Sequence, residues 1–296
     1  MLIGILLSLA AALLSAVGYV AVKQGLETAN YKLFIVLGLF IGVVLSGVLL
    51  WSIGIGLKGL TFKGAFPFIV TGGFGGGLLA RVSITRATHG IGASRTHALT
   101  SASPLVTAVF GVLLLGEVIN LQLGIGMGIV VVGASSLSYF IYSGNSDVNS
   151  KANISSLLGL ALAFYGMIMF GLHPILRKIG MDFGTTPLQG SFIRFLTGFS
   201  FYVLYLLITH PKIKVEINKR FTYYVVAGIA WAVSPILAIY AVQYVSATVY
   251  ASLMRVGPLF TVLLAYFFLK GIEKITWKIG VNALLIVLGA ILVSTA

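Results

Sequence analysis

Residues 93–115 read ASRTHALTSASPLVTAVFGVLLL and residues 247–269 read ATVYASLMRVGPLFTVLLAYFFL. At one offset, Ala93, Leu99, Pro104, Leu105 and Thr107 meet Ala247, Leu253, Pro258, Leu259 and Thr261. After a two-residue insertion, Glu117, Gly124, Gly133 and Ala134 meet Glu273, Gly280, Gly289 and Ala290. A chain that repeats itself about half its length apart is built from two copies of one unit.

That unit is a membrane unit. The chain has 296 residues, of which 59% are hydrophobic and only 8% charged, against roughly 25% charged in a soluble domain. About 20 apolar residues in helical form cross a hydrocarbon core of ~30 Å. Such stretches follow one another at about 2–22, 33–51, 65–84, 93–115, 121–142, 157–176, 188–208, 223–241, 247–269 and 279–294. The polar stretch SGNSDVNSKANIS at 143–155 separates a first repeat, 1–142, from a second, 156–296. Five spans per repeat is an odd number, so the second repeat enters the bilayer upside down. The expected fold class is therefore an all-α membrane protein of ten transmembrane helices arranged as two inverted five-helix repeats. In carriers of this architecture the ligand lies near the midplane, between halves that expose it alternately to the two sides.

Composition closes several other routes. The apolar start lacks a cationic n-region and further spans follow, so it reads as a retained helix rather than a cleaved signal. With no Cys, disulfides, thiol catalysis and thiolate metal sites are excluded; no cofactor or metal is expected. The net charge of +13 comes mostly from Lys and Arg between spans, where orientation and lipid head groups account for it. No basic stripe with interleaved aromatics stands outside the spans, which argues against nucleic acid as a partner.

Several motifs recur in order in both halves. Lys23-Gln24-Gly25 and Lys178-Ile179-Gly180 end the first helix of each half, Pro104 and Pro258 centre the fourth, and Gly116-Glu117 follows it. On these residues the chain resembles the drug/metabolite transporter superfamily, specifically its EamA-like ten-helix members. The departure is Lys270-Gly271-Ile272-Glu273, where the second half would carry Gly-Glu. The resemblance implies an EamA-type fold that carries metabolites such as amino acids, phosphorylated sugars or nucleotide sugars, with both termini in the cytoplasm. A fainter likeness joins Ser94-Arg95-Thr96-His97 and Arg255-Val256 to the plastid sugar-phosphate translocator branch. Thr100 and Met254 stand where that branch places lysines.

Charge counting opposes the implied orientation. Joints after odd-numbered spans hold eleven cations (Lys23, Lys32, Arg86, Lys151, Lys212, Lys214, Lys219, Arg220, Lys270, Lys274 and Lys278), and those after even-numbered spans hold four (Lys58, Lys63, Arg177 and Lys178). The positive-inside rule would place the former, not the termini, in the cytoplasm.

Ionisable groups within the spans cost at least ~2.5 kcal/mol each and are candidates for function. Arg255 lies deepest, roughly 12 Å from the nearer end of its span at 1.5 Å per residue. Arg81 and Arg95 lie near span ends, where snorkelling suffices, and Arg194 resembles an Arg common across the EamA-like family in this helix, which implies a packing or topology role. All six acids (Glu27, Glu117, Asp147, Asp182, Glu216 and Glu273) fall in joints or at helix ends, so the embedded arginines lack carboxylate partners at their own depth. An anionic ligand group fits that imbalance, because guanidinium presents a planar fork suited to carboxylate or phosphate. Thr248, Ser252 and Arg255 share one helix face at i, i+4 and i+7, and Ser94, His97 and Ser101 share one on the repeat-equivalent helix. The expected substrate site is therefore Arg255 and His97 with Ser94, Ser101, Thr248 and Ser252, and with Trp231 and Tyr240 as cavity-lining aromatics. Pro104, Pro258, Gly73 and Gly77 are expected packing or hinge positions. His97 and His173 are the only embedded groups that could titrate for proton coupling.

The functional expectation is a secondary active carrier of small metabolites bearing a carboxylate or phosphate, such as an amino acid or phosphate ester. An exporter of neutral or hydrophobic metabolites is the alternative. A membrane-embedded enzyme is disfavoured because no paired carboxylates, HExxH or Ser-His-Asp set lies at span depth. Expected partners are the metabolite and membrane lipid, with a monomer or homodimer as the assembly and a prokaryotic inner membrane as the multi-pass location.

Overall fold

The computed structural model describes residues 1–25, 31–77, 79–91, 93–143, 156–209, 221–268 and 277–296. The linker residues 144–155 lie outside them, as do Glu27, Asp147, Glu216, Lys270-Gly271-Ile272-Glu273 and the side chains of Arg81 and Ser94.

Apolar runs in a medium without water must satisfy every backbone N–H and C=O internally, and helices do so. The chain forms α1 (Leu2–Gly25), α2 (Tyr31–Ser52), α3 (Phe62–Val70), a π-helical segment (Thr71–Gly77), α4 (Leu79–Ile91), α5 (Ala93–Ser101), α6 (Ser103–Leu115) and α7 (Leu121–Ser143). The second half follows with α8 (Ser156–Asp182), α9 (Pro187–Thr209), α10 (Phe221–Tyr244), α11 (Ala247–Met254), α12 (Gly257–Phe268) and α13 (Trp277–Ser294). Among the described residues, eight stretches are helical, long and apolar enough to cross a membrane. Gly280–Ser294 is a shorter apolar helix, and α3, the π segment and α4 make one further rod. These rods fit ten spans.

Inversion is legible in the packing. Helix α7 meets α13 antiparallel: a Cβ built on Gly126 would stand 2.9 Å from Leu292 Cβ, and one on Gly133 3.0 Å from Ile286 Cγ1. At Gly289 an added Cβ would lie 2.8 Å from the Gly126 carbonyl oxygen, so the backbones touch there and only glycine fits. Helix α1 packs along α10, where Ser15 and Ser234 hydroxyls lie 2.8 Å apart and Ser234 donates to the Ala11 carbonyl at 2.8 Å. Its repeat mate, α8, packs along α3 and α4. The α2–α10 pair likewise has its counterpart in α9 with the π segment, and α6–α8 in α12–α1. Each pairing returns when the halves are exchanged, as a pseudo-two-fold axis requires.

Small residues carry these contacts because lipid tails are as apolar as leucine, leaving close packing as the main driving force. Ala11, Ala12 and Ala241 are fully buried. Large apolar side chains face the other way: Leu113 is 71% and Val48 63% exposed, where hydrocarbon is the solvent.

Candidate functional site

The two helices that carry the sequence repeat break at matched points. Proline has no N–H, and its ring crowds the carbonyl four residues back. Helix α5 thus stops at Ser101 and α6 restarts at Ser103-Pro104, while α11 stops at Met254 and α12 restarts at Gly257-Pro258. The same backbone bonds bridge each break: Ala102 N–H donates to Leu99 and Leu105 N–H to Ala102, and Val256 N–H donates to Leu253 and Leu259 N–H to Val256, all at 3.0 Å. Pro104 and Pro258 therefore open the second half of each broken rod, a favourable place for proline.

Arg255 is the C-cap residue of α11 and occupies the break itself. Its Nη2 donates to Ser103 Oγ at 2.7 Å, across to the start of α6. Its Nε is buried and makes no hydrogen bond. Helix α6 begins at Ala102, which supplies no side-chain cap, so the positive end of the α6 dipole is open beside the guanidinium. His97 lies within the electrostatic reach of Arg255, as do the Tyr19 and Tyr250 hydroxyls. Tyr19 meets Trp231 edge to face, with ring centroids 5.4 Å apart. Arg255, His97, Ser103, Tyr19 and Trp231 thus come together from α1, α5, α6, α10 and α11. The Arg255 guanidinium beside an open helix N-terminus attracts an anion, with the His97 imidazole as a further polar neighbour, and the aromatic edge offers an apolar wall.

One carboxylate holds this pair of helices in register. Gly116 ends α6 in the left-handed region, with φ 63°, a conformation that glycine alone adopts without strain. The turn brings Glu117 back over Gly111, where an added Cβ would stand 2.9 Å from Glu117 Oε2. Oε1 accepts from the Ala247 N–H at 2.6 Å and from Lys178 Nζ at 3.3 Å. Oε2 accepts from the Thr248 N–H at 3.1 Å and its hydroxyl at 2.8 Å. The Gly-Glu motif is thus a helix cap in trans, at the N-terminal, positive end of α11.

The hydroxyl stripes are placed differently from the sequence expectation. Thr248 and Ser252 are fully buried; the first donates to Glu117 and the second to the Thr248 carbonyl at 2.9 Å. Ser101 donates to the His97 carbonyl at 2.8 Å and lies 3.4 Å from Ser138 on α7. Thr248 and Ser101 thus reach neighbouring elements, while Ser252 bonds within α11. Tyr240 also separates from Trp231. Nine residues of helix put it on the opposite side of α10, where it packs with Ile35, Leu39 and Tyr202. Arg95 and His97, two residues apart in the motif, point about 200° apart on α5.

The glycine run forms the π-helical segment. An added Cβ on Gly72 would meet the Arg194 carbonyl and Thr197, and one on Gly73 would lie 3.5 Å from Phe201, so the run lets α9 approach closely. The surroundings of Gly77 lie outside what is described. Arg194 stacks its guanidinium 5.1 Å above the Phe195 ring.

Arg177 corrects the reading of the sixth span. In the sequence it stands with a polar joint, yet α8 continues to Asp182 and leaves Arg177 only 4% exposed. Its Nη1 donates to Tyr250 Oη at 3.2 Å, and its guanidinium lies 5.9 Å from that ring's centre. His173, one turn earlier on the same face, has a buried Nε2 with no hydrogen bond, as does Arg177 at Nε. The charges of Arg177 and Arg194 both reach His173. A cation beside a joint looks like any other joint cation in a sequence; the His-x-x-x-Arg spacing was the available signal.

The comparisons agree with this architecture. The model of the EamA-like transporter family matches the chain twice, over residues 2–139 and 157–295. A solved structure described only as "Crystal structure of protein" superposes with a TM-score of 0.76 over 99% of this chain and 97% of that one. At 16% identity this likeness shows the fold alone. No curated protein matches the chain.

Proposed function

The chain belongs to the EamA-like transporter family, and we propose that it carries small metabolites bearing a carboxylate or phosphate by alternating access. The observation that carries this reading is Arg255. Its guanidinium sits at a mid-span helix break, tied by one nitrogen to Ser103 at the uncapped start of α6, with Nε left without a bond. A buried polar atom in that state calls for an additional partner, and discontinuous helices near the midplane are where carriers coordinate charged substrate groups. In this reading Arg255 takes the acid group through its fork, His97 adds a second donor, and Tyr19 and Trp231 bound the apolar body of the substrate. Pro104 and Pro258 let the outer and inner halves of each broken rod tilt separately.

The reading is tested by thermal shift on the purified protein with amino acids, phosphate esters, nucleotide sugars and uncharged analogues of each. Stabilisation by members of one acidic class, absent with their amides or unphosphorylated forms, is expected. Stabilisation by the uncharged forms alone would favour an exporter of neutral metabolites instead.

A further inference from the structure

On its outer surface the bundle carries a cavity of about 440 Å³, bounded by Ile91, Arg95, Ala98, Leu99, Tyr139 and Leu160. It lies where α4 ends, α5 begins, α7 ends and α8 begins, on the membrane face opposite the termini. Helix α8 comes close to α4 at its floor, where an added Cβ on Gly159 would stand 3.0 Å from Ile91 Cγ2. The cavity is separate from the Arg255 site. The Ala98 side of α5 abuts α7, with Ser135 Oγ donating to the Ala98 carbonyl at 3.1 Å, and His97 points away from Arg95.

Its polarity is divided along the membrane normal. Arg95 stands two residues into the apolar run at 93–115 and Tyr139 three residues from the end of the run at 121–142, so both stand close to head-group level. Arg95 is exposed and the Tyr139 ring is 49% exposed. Ala98 and Leu99 lie about one helical turn deeper, roughly 5 Å at 1.5 Å per residue, and Leu160 lies three residues into its own span. Arg86 on α4 is exposed as well. By sequence, the joints after odd-numbered spans carry eleven cations against four acids, a balance that attracts acidic head groups.

From this division we infer that the cavity binds one anionic phospholipid, its head-group phosphate on Arg95 and the Tyr139 edge and an acyl chain along Ala98, Leu99 and Leu160. Arg95 then lifts its guanidinium to the interface, as a long cationic side chain does at a span end, and meets a phosphate there rather than water alone. The inference does not depend on which metabolite is carried.

The full chain in a neutral detergent is titrated with phosphatidylglycerol, with phosphatidylcholine of the same acyl chains, and with free glycerol phosphate. Bound lipid is counted by native mass spectrometry. Phosphatidylglycerol should be retained about five-fold over phosphatidylcholine, the preference one interfacial cation confers, and Arg95→Gln should abolish that preference. Leu160→Trp, which fills the apolar floor at a lipid-facing position, should lower retention of phosphatidylglycerol with Arg95 intact. Equal retention of both lipids, an unchanged preference in Arg95→Gln, or a full competing effect of glycerol phosphate alone would each overturn the proposal. The last outcome would mark a soluble-phosphate site in place of a lipid site.

Discussion

Replacing Arg255 with alanine is expected to weaken substrate binding by about ten-fold or more while the protein still inserts and folds. A hydrogen bond to a charged group contributes roughly 1.5–3 kcal/mol relative to its loss, and each 1.4 kcal/mol is a factor of ten. The fold is expected to survive because, among the described residues, the hydrogen bond of Arg255 is the one to Ser103, and that hydroxyl can turn to other acceptors. Arg255→Lys should restore binding only in part, since an ammonium is a point charge and cannot present the planar fork. The measurement is the dissociation constant of the best ligand from the thermal-shift screen, taken on all three proteins in the same detergent. Unchanged affinity in Arg255→Ala would make the residue structural and remove the main support for an acidic substrate.

Glu117→Ala should be strongly destabilising. The carboxylate is 6% exposed and accepts from Lys178, from two backbone N–H groups at the start of α11 and from the Thr248 hydroxyl. Its removal takes away a helix cap, typically about 1 kcal/mol, and bonds to an ionised group, which together give a loss of about 3 kcal/mol. Glu117→Gln keeps an acceptor oxygen for one backbone N–H and should lose about half as much. Unfolding curves in detergent read both effects, and wild-type stability in Glu117→Ala would show that α6 and α11 are held by packing alone. Because the cap sets the register of α11 on α6, the alanine variant should also loosen the contact of Arg255 with Ser103.

Much of this architecture is visible in the sequence because the bilayer imposes a length on every helix. The spans, the inversion and the family follow from apolar runs and from Pro, Gly and Glu recurring at one offset. The helix breaks are harder to read: Pro104 and Pro258 sit beside them, but Pro174 and Pro235 lie inside unbroken helices, so a proline alone does not announce a break. Side-chain partners are less visible. Periodicity groups Thr248, Ser252 and Arg255 on one helix face, but says nothing about what that face meets, and Glu117, from the turn after α6, takes the Thr248 hydroxyl. Trp231 and Tyr240 look equivalent as aromatics in one span, although nine residues place them on opposite sides. Arg177 was hidden for a different reason. A cation one residue outside an apolar run is indistinguishable from a joint residue until Tyr250, 73 positions away, is seen against it.

Counterflow in liposomes tests the central claim most directly. Vesicles containing the purified chain and preloaded with an acidic metabolite that stabilises it should take up the labelled compound transiently and saturably, against no net gradient. Uptake should fall with Arg255→Ala and fail when the acid group is amidated or the phosphate removed. Non-saturable flux, or counterflow equally strong for the neutral analogue and unaffected by Arg255→Ala, would contradict the account.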